Sequence, residues 1–255
     1  MSKIELLELD SKVSIASPYP CLYIKNENIL IVADLHLGLE DNRAEHGVHI
    51  PRSFFSKINS LILEPIKELK CKKIILLGDV KHEFGKIQED EWWSIKRLFR
   101  NIRELNCEPE VIQGNHDNHI IAVLKELKVK HHKYSLEINS ILLAHGHREL
   151  GEIKKEITHV IIGNEHPAIS ISDENGIKYR FKAFITGQLL HFRLTVIPSI
   201  SPLFLGTEIN NSEQTRFLSP ILRKANISEF TPYLIEPMIF IKKFPLIKNI
   251  RDNFK

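Results

Sequence analysis

Five short polar clusters in this chain share one chemistry: Asp34-Leu35-His36, Gly78-Asp79, Gly114-Asn115-His116-Asp117, His145-Gly146-His147 and Gly163-Asn164-Glu165-His166. Their side chains offer carboxylate and amide oxygens and imidazole nitrogens, the donor set of Mn²⁺, Fe²⁺, Zn²⁺ and similar divalent ions. None contains a thiol, which disfavours a soft-metal site. Cys21, Cys71 and Cys107 lie far apart with no C-x-x-C pair, and read as reduced, buried thiols. Two divalent cations about 3.5 to 4 Å apart can each take a phosphate oxygen and acidify a bridging water into a nucleophile, provided a carboxylate lies between them.

The elements that must position these clusters are legible from periodicity. Each cluster follows a short run rich in Ile, Val and Leu, at 28–33, 73–77, 109–112, 140–144 and 158–162, and such runs read as buried parallel strands. Between them, 52–69 repeats apolar residues at helical spacing (Phe55, Ile58, Ile62, Ile66, Leu69), as does 89–105 (Trp92, Ile95, Phe99, Ile102); 118–128 predicts a third, short helix. Pro51 suits a first helical position, and Pro65 is expected to kink or split its helix. Alternating strands and helices predict an α/β fold, in which ligands bind beyond the carboxyl ends of the strands, where all five clusters fall. Segments 12–24, 168–173 and 177–197 read as extended, the last two joined through the tight turn of Asn175-Gly176. The expected architecture is therefore two packed mixed β-sheets flanked by helices, over residues 1–197. Beyond it, Pro198, Pro202, Pro220, Pro232, Pro237 and Pro245 predict an irregular C-terminal wrap of the same domain, 198–255, in which no chemistry is read.

Composition narrows the class. With 255 residues, 43% hydrophobic and 26% charged, the chain can bury a sizeable core. A net charge of +3 permits an anionic substrate but falls short of a nucleic-acid footprint, and Lys242, Lys243, Lys248, Arg251 and Lys255 read as a solvated tail. No apolar run reaches the roughly 18 residues that span a bilayer, and the amino terminus lacks a signal-peptide core. A cytoplasmic protein without membrane contact is expected.

In order and residue type, the clusters resemble the calcineurin-like metallophosphoesterase superfamily, whose pattern runs D-x-H, G-D, G-N-H-D or G-N-H-E, a lone His, and G-H-x-H. The resemblance spans about residues 29–167 and implies the four-layer sandwich of that superfamily. Carried over by position, it implies two divalent ions, Mn first with Fe, Zn, Ni or Co as alternatives. Asp34, His36 and His166 would hold one ion, Asp79 would bridge, and Asn115 and His145 would hold the other; Asn115 would also meet the substrate. It casts His116 as general acid or transition-state stabiliser, with Asp117 orienting its ring, and a metal-bridging hydroxide as nucleophile. The phrases Ala-Asp-Leu-His-Leu-Gly (33–38), Leu-Gly-Asp-Val-Lys-His-Glu-Phe (77–84), Gly-x-Glu-His-Pro-Ala-Ile (163–169) and Ser-Pro-Leu-Phe-Leu-Gly-Thr (201–207) look like an archaeal branch related to DNA-ligase-associated phosphoesterases and SbcD-type nucleases. That branch implies phosphodiester hydrolysis with a role in DNA repair; DNA as a substrate, a DNA-repair partner and a homodimer are further expectations.

Two departures from the pattern stand out. Asn164 replaces an imidazole of the second metal, and an amide oxygen is the weaker ligand for transition metals. His82 stands where relatives carry the second Asp of G-D-x-x-D, followed by Glu83 and Phe84 rather than the Arg-Gly of protein phosphatases; it is expected to face the substrate or support the second metal's shell. His147 competes with His145, which is preferred as nearer the strand end. His159 reads as a strand residue, His131-His132 as a solvated loop, and His46 and His49 as a surface loop. The alternatives are a hydrolase of small nucleotides or cyclic phosphodiesters, and a catalytically degenerate scaffold whose support is Asn164.

Overall fold

The computed structural model describes residues 3–38, 53–82, 89–210 and 217–253. His46, His49, Glu83 and Phe84 lie outside these. One sheet contains β1 (Glu5–Glu8), β2 (Val13–Ser17), β3 (Leu22–Ile24), β4 (Ile29–Ala33), β5 (Lys73–Leu77), β6 (Glu108–Ile112) and β7 (Lys130–His132), in sequential order. Its first four strands pair antiparallel and β4 to β7 pair parallel. The other sheet contains β8 (Ser135–Ile138), β9 (Ile141–Ala144), β10 (His159–Ile162), β11 (Pro167–Ser172), β12 (Lys178–Leu189), β13 (Phe192–Val196), β14 (Thr207–Glu208), β15 (Thr231–Glu236) and β16 (Phe240–Lys243). Within it β9, β10 and β13 are parallel and the β11–β12 and β12–β13 pairs antiparallel. The fold is the expected α/β arrangement of two packed mixed sheets.

Side-chain alternation along each strand builds the layers. In β4, Ile29, Ile31 and Ala33 face the second sheet, with Ile75 and Leu77 of β5 and Ile112 of β6, against Ile141, Leu143, Ile161 and Phe184. The other parity, Leu30, Val32, Ile74, Leu76 and Val111, packs under α1 (Ser53–Leu69), α2 (Glu89–Glu104) and α3 (Ile121–Glu126). Buried on both faces, these strands are mostly apolar, which is why they stand out in the sequence; the exception, Glu110 of β6, is paired with Lys73 and His132. Helix α1 and helix α3 end on left-handed Lys70 and Lys128, with the following amide reaching back to Ile66 O and Leu124 O.

Several expectations change. Pro65 is accommodated inside one continuous α1. The segment 177–197 is two strands, broken by Leu190 at φ 54°. His131 and His132 lie in strand β7 rather than a loop, and His132 Nε2 meets Glu110 Oε2 at 2.7 Å. The residues after 198 contribute β14 to β16 and α4 (Ile247–Asn253). They also cover the outer face of the second sheet, where Ile209, Ile221, Leu222, Phe230, Ile247 and Ile250 pack on Val160, Ile162, Ala183, Ile185 and Leu194. The prolines were compatible with strands because β15 keeps Pro232 at its start, in register with Ile185.

Candidate metal centre

Past the ends of β4 and β5 the parallel pairing continues: Asp34 N donates to Gly78 O, His36 N to Asp79 O and Leu37 N to Val80 O, at 3.3, 2.9 and 2.9 Å. This extension sets Asp34, His36 and Asp79 side by side. Asp34, His36, Asp79, Asn164 and His166 all adopt positive φ, between 47° and 65°, a strained region for residues with a Cβ. Five non-glycine residues held this way at adjoining strand ends mark a place where packing overrides local preference. Close approach needs the glycines between them: a Cβ on Gly114 would lie 2.0 Å from Asp79 Oδ1, and one on Gly163 would lie 2.9 Å from the Ala33 Cβ.

The structure brings together Asp34, His36, Asp79, His82, Asn115, His116, His145, Asn164 and His166. Asp34 is fully buried: Oδ1 meets His145 Nε2 at 2.9 Å, and Oδ2 accepts the Asn164 amide at 3.0 Å. His166 Nε2 lies 3.3 Å from that Oδ2 without hydrogen-bond alignment. Asp79 Oδ1 accepts the His116 amide at 3.0 Å; Oδ2 stands 3.5 Å from His145 Nε2, 3.8 Å from His116 Nε2 and 4.0 Å from His36 Nε2. Donor atoms fall into groups mutually within 4.8 Å: Asp34-His36-His166, Asp34-Asp79-His145 and His36-His82-His116. Asp34 is the carboxylate common to two groups, a position the resemblance had given to Asp79, which lies between the His36 and His145 rings. Asn115, Asn164 and His82 line the same pocket, about 370 Å³ in volume. His147 does not reach it: its Nδ1 stands 2.8 Å from His145 Nδ1, on the far side of that ring.

Asp117 does not orient His116. Its buried carboxylate is turned inward, accepting the amides of Gly114 at 2.9 Å and Val80 at 3.0 Å, so it ties the loops after β5 and β6 together. His116 Nδ1 faces the His82 carbonyl instead, which fixes a proton on Nδ1.

Burial dominates the electrostatics. It pushes the Asp79 carboxyl up to about 7, with the charges of Asp34 and Asp117 adding to the rise against His145. Burial holds His36 well below the usual imidazole value and His116 down at about 4. For Asp34 burial is outweighed by His166 and His145, which hold it below the carboxylate range; for His145 burial is outweighed by Asp79 and Asp34, which raise it. Neither ring nitrogen of buried His36 has a hydrogen-bond partner among the described residues, nor has His166 Nε2 or Asn115 Oδ1. Buried polar atoms left so are costly, and lone pairs converging on two carboxylates fit divalent cations. Asp34, His36 and His166 would hold one, and Asp79, Asn115 and His145 a second. Asn164 Nδ2 donates to Ser219 Oγ at 3.2 Å, which leaves its oxygen as the remaining donor.

Several supporting residues were given no role by the motifs, although Phe204 and Glu165 lie within quoted phrases. Phe204 packs on the His36 ring at a centroid distance of 4.3 Å. Ser199 Oγ donates to Asp34 O at 2.7 Å, and Lys182 Nζ, whose pKa burial lowers to about 7, donates to the carbonyls of Ser199 and Ser201. Buried Glu165 accepts the Ser219 amide at 2.9 Å, aiming the hydroxyl that Asn164 uses. All but Glu165 and Lys182 come from the segment after 198, so the reading of that segment as free of chemistry is corrected.

Two mixed sheets packed face to face, flanked by helices and with polar strand ends gathered at one edge, form a fold shared with solved structures. Among solved structures, that of the Pseudomonas putida nuclease MPE matches with a TM-score of 0.67 at 16% identity, covering 95% of this chain and 100% of that one. The phosphoesterase Yfce from E. coli matches with a TM-score of 0.40 at 11% identity, covering 86% of this chain and 98% of that one. No protein-family model matches the chain. No curated protein matches it. No helix among the described residues is long and apolar enough to cross a membrane.

Proposed function

We propose that this protein is a divalent-metal-dependent phosphodiesterase of the nuclease kind. The observation that carries the reading is the convergence of Asp34, Asp79, His36, His145 and His166 on one buried spot where His36 and His166 nitrogens are left without hydrogen bonds. The full-length likeness to a nuclease supports the fold that such chemistry uses. When bound, two cations, Mn²⁺ first, would supply Lewis acidity toward phosphate oxygens and lower the pKa of water. The chain's own residues do the rest. Asn115 and His82 line the pocket where a phosphate would lie, together with His36 and His166. His116, neutral in the free protein with its proton on Nδ1, presents Nε2; a substrate's negative charge would raise its pKa and let it carry a proton to the leaving oxygen.

The test is hydrolysis of bis-p-nitrophenyl phosphate against p-nitrophenyl phosphate by metal-stripped protein re-supplied with Mn²⁺, with Asp79→Asn and His116→Ala alongside. Mn²⁺-dependent cleavage of the diester, lost in both variants, is expected. A folded protein that cleaves neither ester under any divalent metal would overturn the reading in favour of a non-catalytic scaffold.

A further inference from the structure

A third group of donors meets at the same centre and has a different chemistry. His36, His82 and His116 hold ring nitrogens mutually within 4.8 Å, and all three are imidazoles, whereas each of the other groups contains a carboxylate. The His82 and His116 rings stack at 22° with centroids 5.7 Å apart. The His36 ring stands edge-on to both, at 70° and 89°, with centroids 5.5 and 5.1 Å away. Asp79 Oδ2 lies 3.8 Å from His116 Nε2 and 4.0 Å from His36 Nε2, near enough to complete a four-ligand shell. His116 is already posed as a ligand. Metal-bound imidazoles hold their other N–H on a carbonyl or carboxylate, and His116 Nδ1–H is held on the His82 carbonyl, which leaves Nε2 as the donor. Phe204 packs over the group, its ring centroid 4.3 Å from that of His36 and 6.0 Å from that of His82, and an apolar roof favours an ion that sheds its water.

Ligand type separates the seats. Mn²⁺ binds nitrogen donors least well of the first-row divalent ions and suits the carboxylate-bearing groups, whereas Zn²⁺ suits imidazoles and a carboxylate in a tetrahedron. His36 belongs both to the Asp34-His36-His166 group and to this one, so an ion in the histidine seat takes His36 from the first Mn²⁺ position. It also takes the Nε2 lone pair of His116, the atom that would hold the proton for the leaving oxygen. We infer that His36, His82 and His116, with Asp79, form an inhibitory Zn²⁺ site that overlaps the catalytic centre and excludes its active arrangement. The inhibition rests on the phosphodiesterase reading; the binding rests on the imidazole cluster alone.

Zinc binding is separated from catalysis in Asp34→Asn, which removes the carboxylate shared by the other two groups and leaves the three histidines and Asp79. Titration calorimetry of the metal-stripped variant with Zn²⁺ should find one site, and adding His82→Ala should weaken it about tenfold or more. Co²⁺ in the same seat should give the intense visible absorption of a tetrahedral ion, lost with His82→Ala. In Mn²⁺-loaded wild type, Zn²⁺ should inhibit cleavage of bis-p-nitrophenyl phosphate, and more Mn²⁺ should relieve the inhibition. The Zn²⁺ concentration for half-inhibition, taken against each protein's own rate, should rise about tenfold in His82→Ala. Equal Zn²⁺ affinity with and without His82 would overturn the inference. So would an unchanged half-inhibition, since Zn²⁺ would then be acting at the carboxylate-bearing groups. Should Asp34→Asn fail to fold, the Co²⁺ spectrum of wild type against His82→Ala decides. Should wild type cleave neither ester yet bind Zn²⁺ through His82, the site stands and the hydrolase reading falls. Mn²⁺-dependent diester cleavage with Zn²⁺ binding indifferent to His82 gives the reverse.

Discussion

Replacing Asp79 by Asn should make the metal-free protein more stable and the metal-loaded protein less so. Asp79 is 2% exposed, and its carboxyl is raised from 3.8 to about 7, chiefly by burial. Holding it charged in the folded state therefore costs about 4 kcal/mol above pH 7, at 1.36 kcal/mol per pKa unit. An amide keeps the acceptor for the His116 amide, and its NH₂ faces the His145 and His36 nitrogens, so the bond at Oδ1 survives the exchange. If half of the cost is relieved, the gain is about 2 kcal/mol, a rise of roughly 4 to 8 °C in Tm for a chain of this length. The sign with pH follows from an acid whose folded pKa is raised: the cost is absent below about pH 4, grows between pH 4 and 7, and is constant above. The advantage of Asp79→Asn in EDTA should thus be full at pH 8 and vanish near pH 4. Mn²⁺ at a hundred times its Kd should stabilise the wild type by about 2.7 kcal/mol and the variant by much less, so that the order of the two inverts. Calorimetric scans in EDTA and in Mn²⁺, at pH 5 and 8, measure all of this. A variant less stable than wild type in EDTA at pH 8 would refute the charge-burial reasoning, and an equal Mn²⁺-induced rise in both proteins would remove Asp79 from the metal shell.

Gly114→Ala places a methyl carbon 2.0 Å from Asp79 Oδ1 and 2.3 Å from its amide nitrogen, so it should destabilise the fold by about 1 to 3 kcal/mol and abolish the Mn²⁺-induced rise in Tm. An unchanged response to Mn²⁺ in a thermal scan would show that the loops do not depend on this approach. Asn164→His, which trades the amide bonded to Ser219 for an imidazole, should bind Mn²⁺ about tenfold more tightly by titration calorimetry. Unchanged affinity and turnover would mean that position 164 does not face the second ion.

The strands that carry the site were legible because they are buried on both faces: β4, β5, β9 and β10 appear as apolar runs of three to five residues, β6 as a shorter one ending in Val111-Ile112, and each polar cluster follows where its run stops. Strands β1, β7 and β8 are short and half exposed, with no apolar run to announce them, and were not read. The same division holds within the site. The candidate ligands Asp34, His36, Asp79, Asn115, His145, Asn164 and His166 stand within four residues of a strand end, so local sequence reveals them. What holds them does not: Ser199 is bonded to Asp34 across 165 positions of chain and Glu165 to Ser219 across 54. A serine after a proline and an acid inside a loop look the same whether they are solvated or buried against a ligand's backbone. Asp117 shows the converse error, since a carboxylate next to His116 in sequence suggests a partner for its ring, yet that carboxylate is spent on the Gly114 and Val80 amides. Type and spacing therefore show which atoms could meet a metal. The positive φ of Asp34, His36, Asp79, Asn164 and His166 shows that the fold holds them in strained positions, and the tie from the segment after 198 is one means by which it does so. Loosening that tie at Ser199 or Ser219 should disturb the geometry of the cluster while leaving every candidate ligand in place.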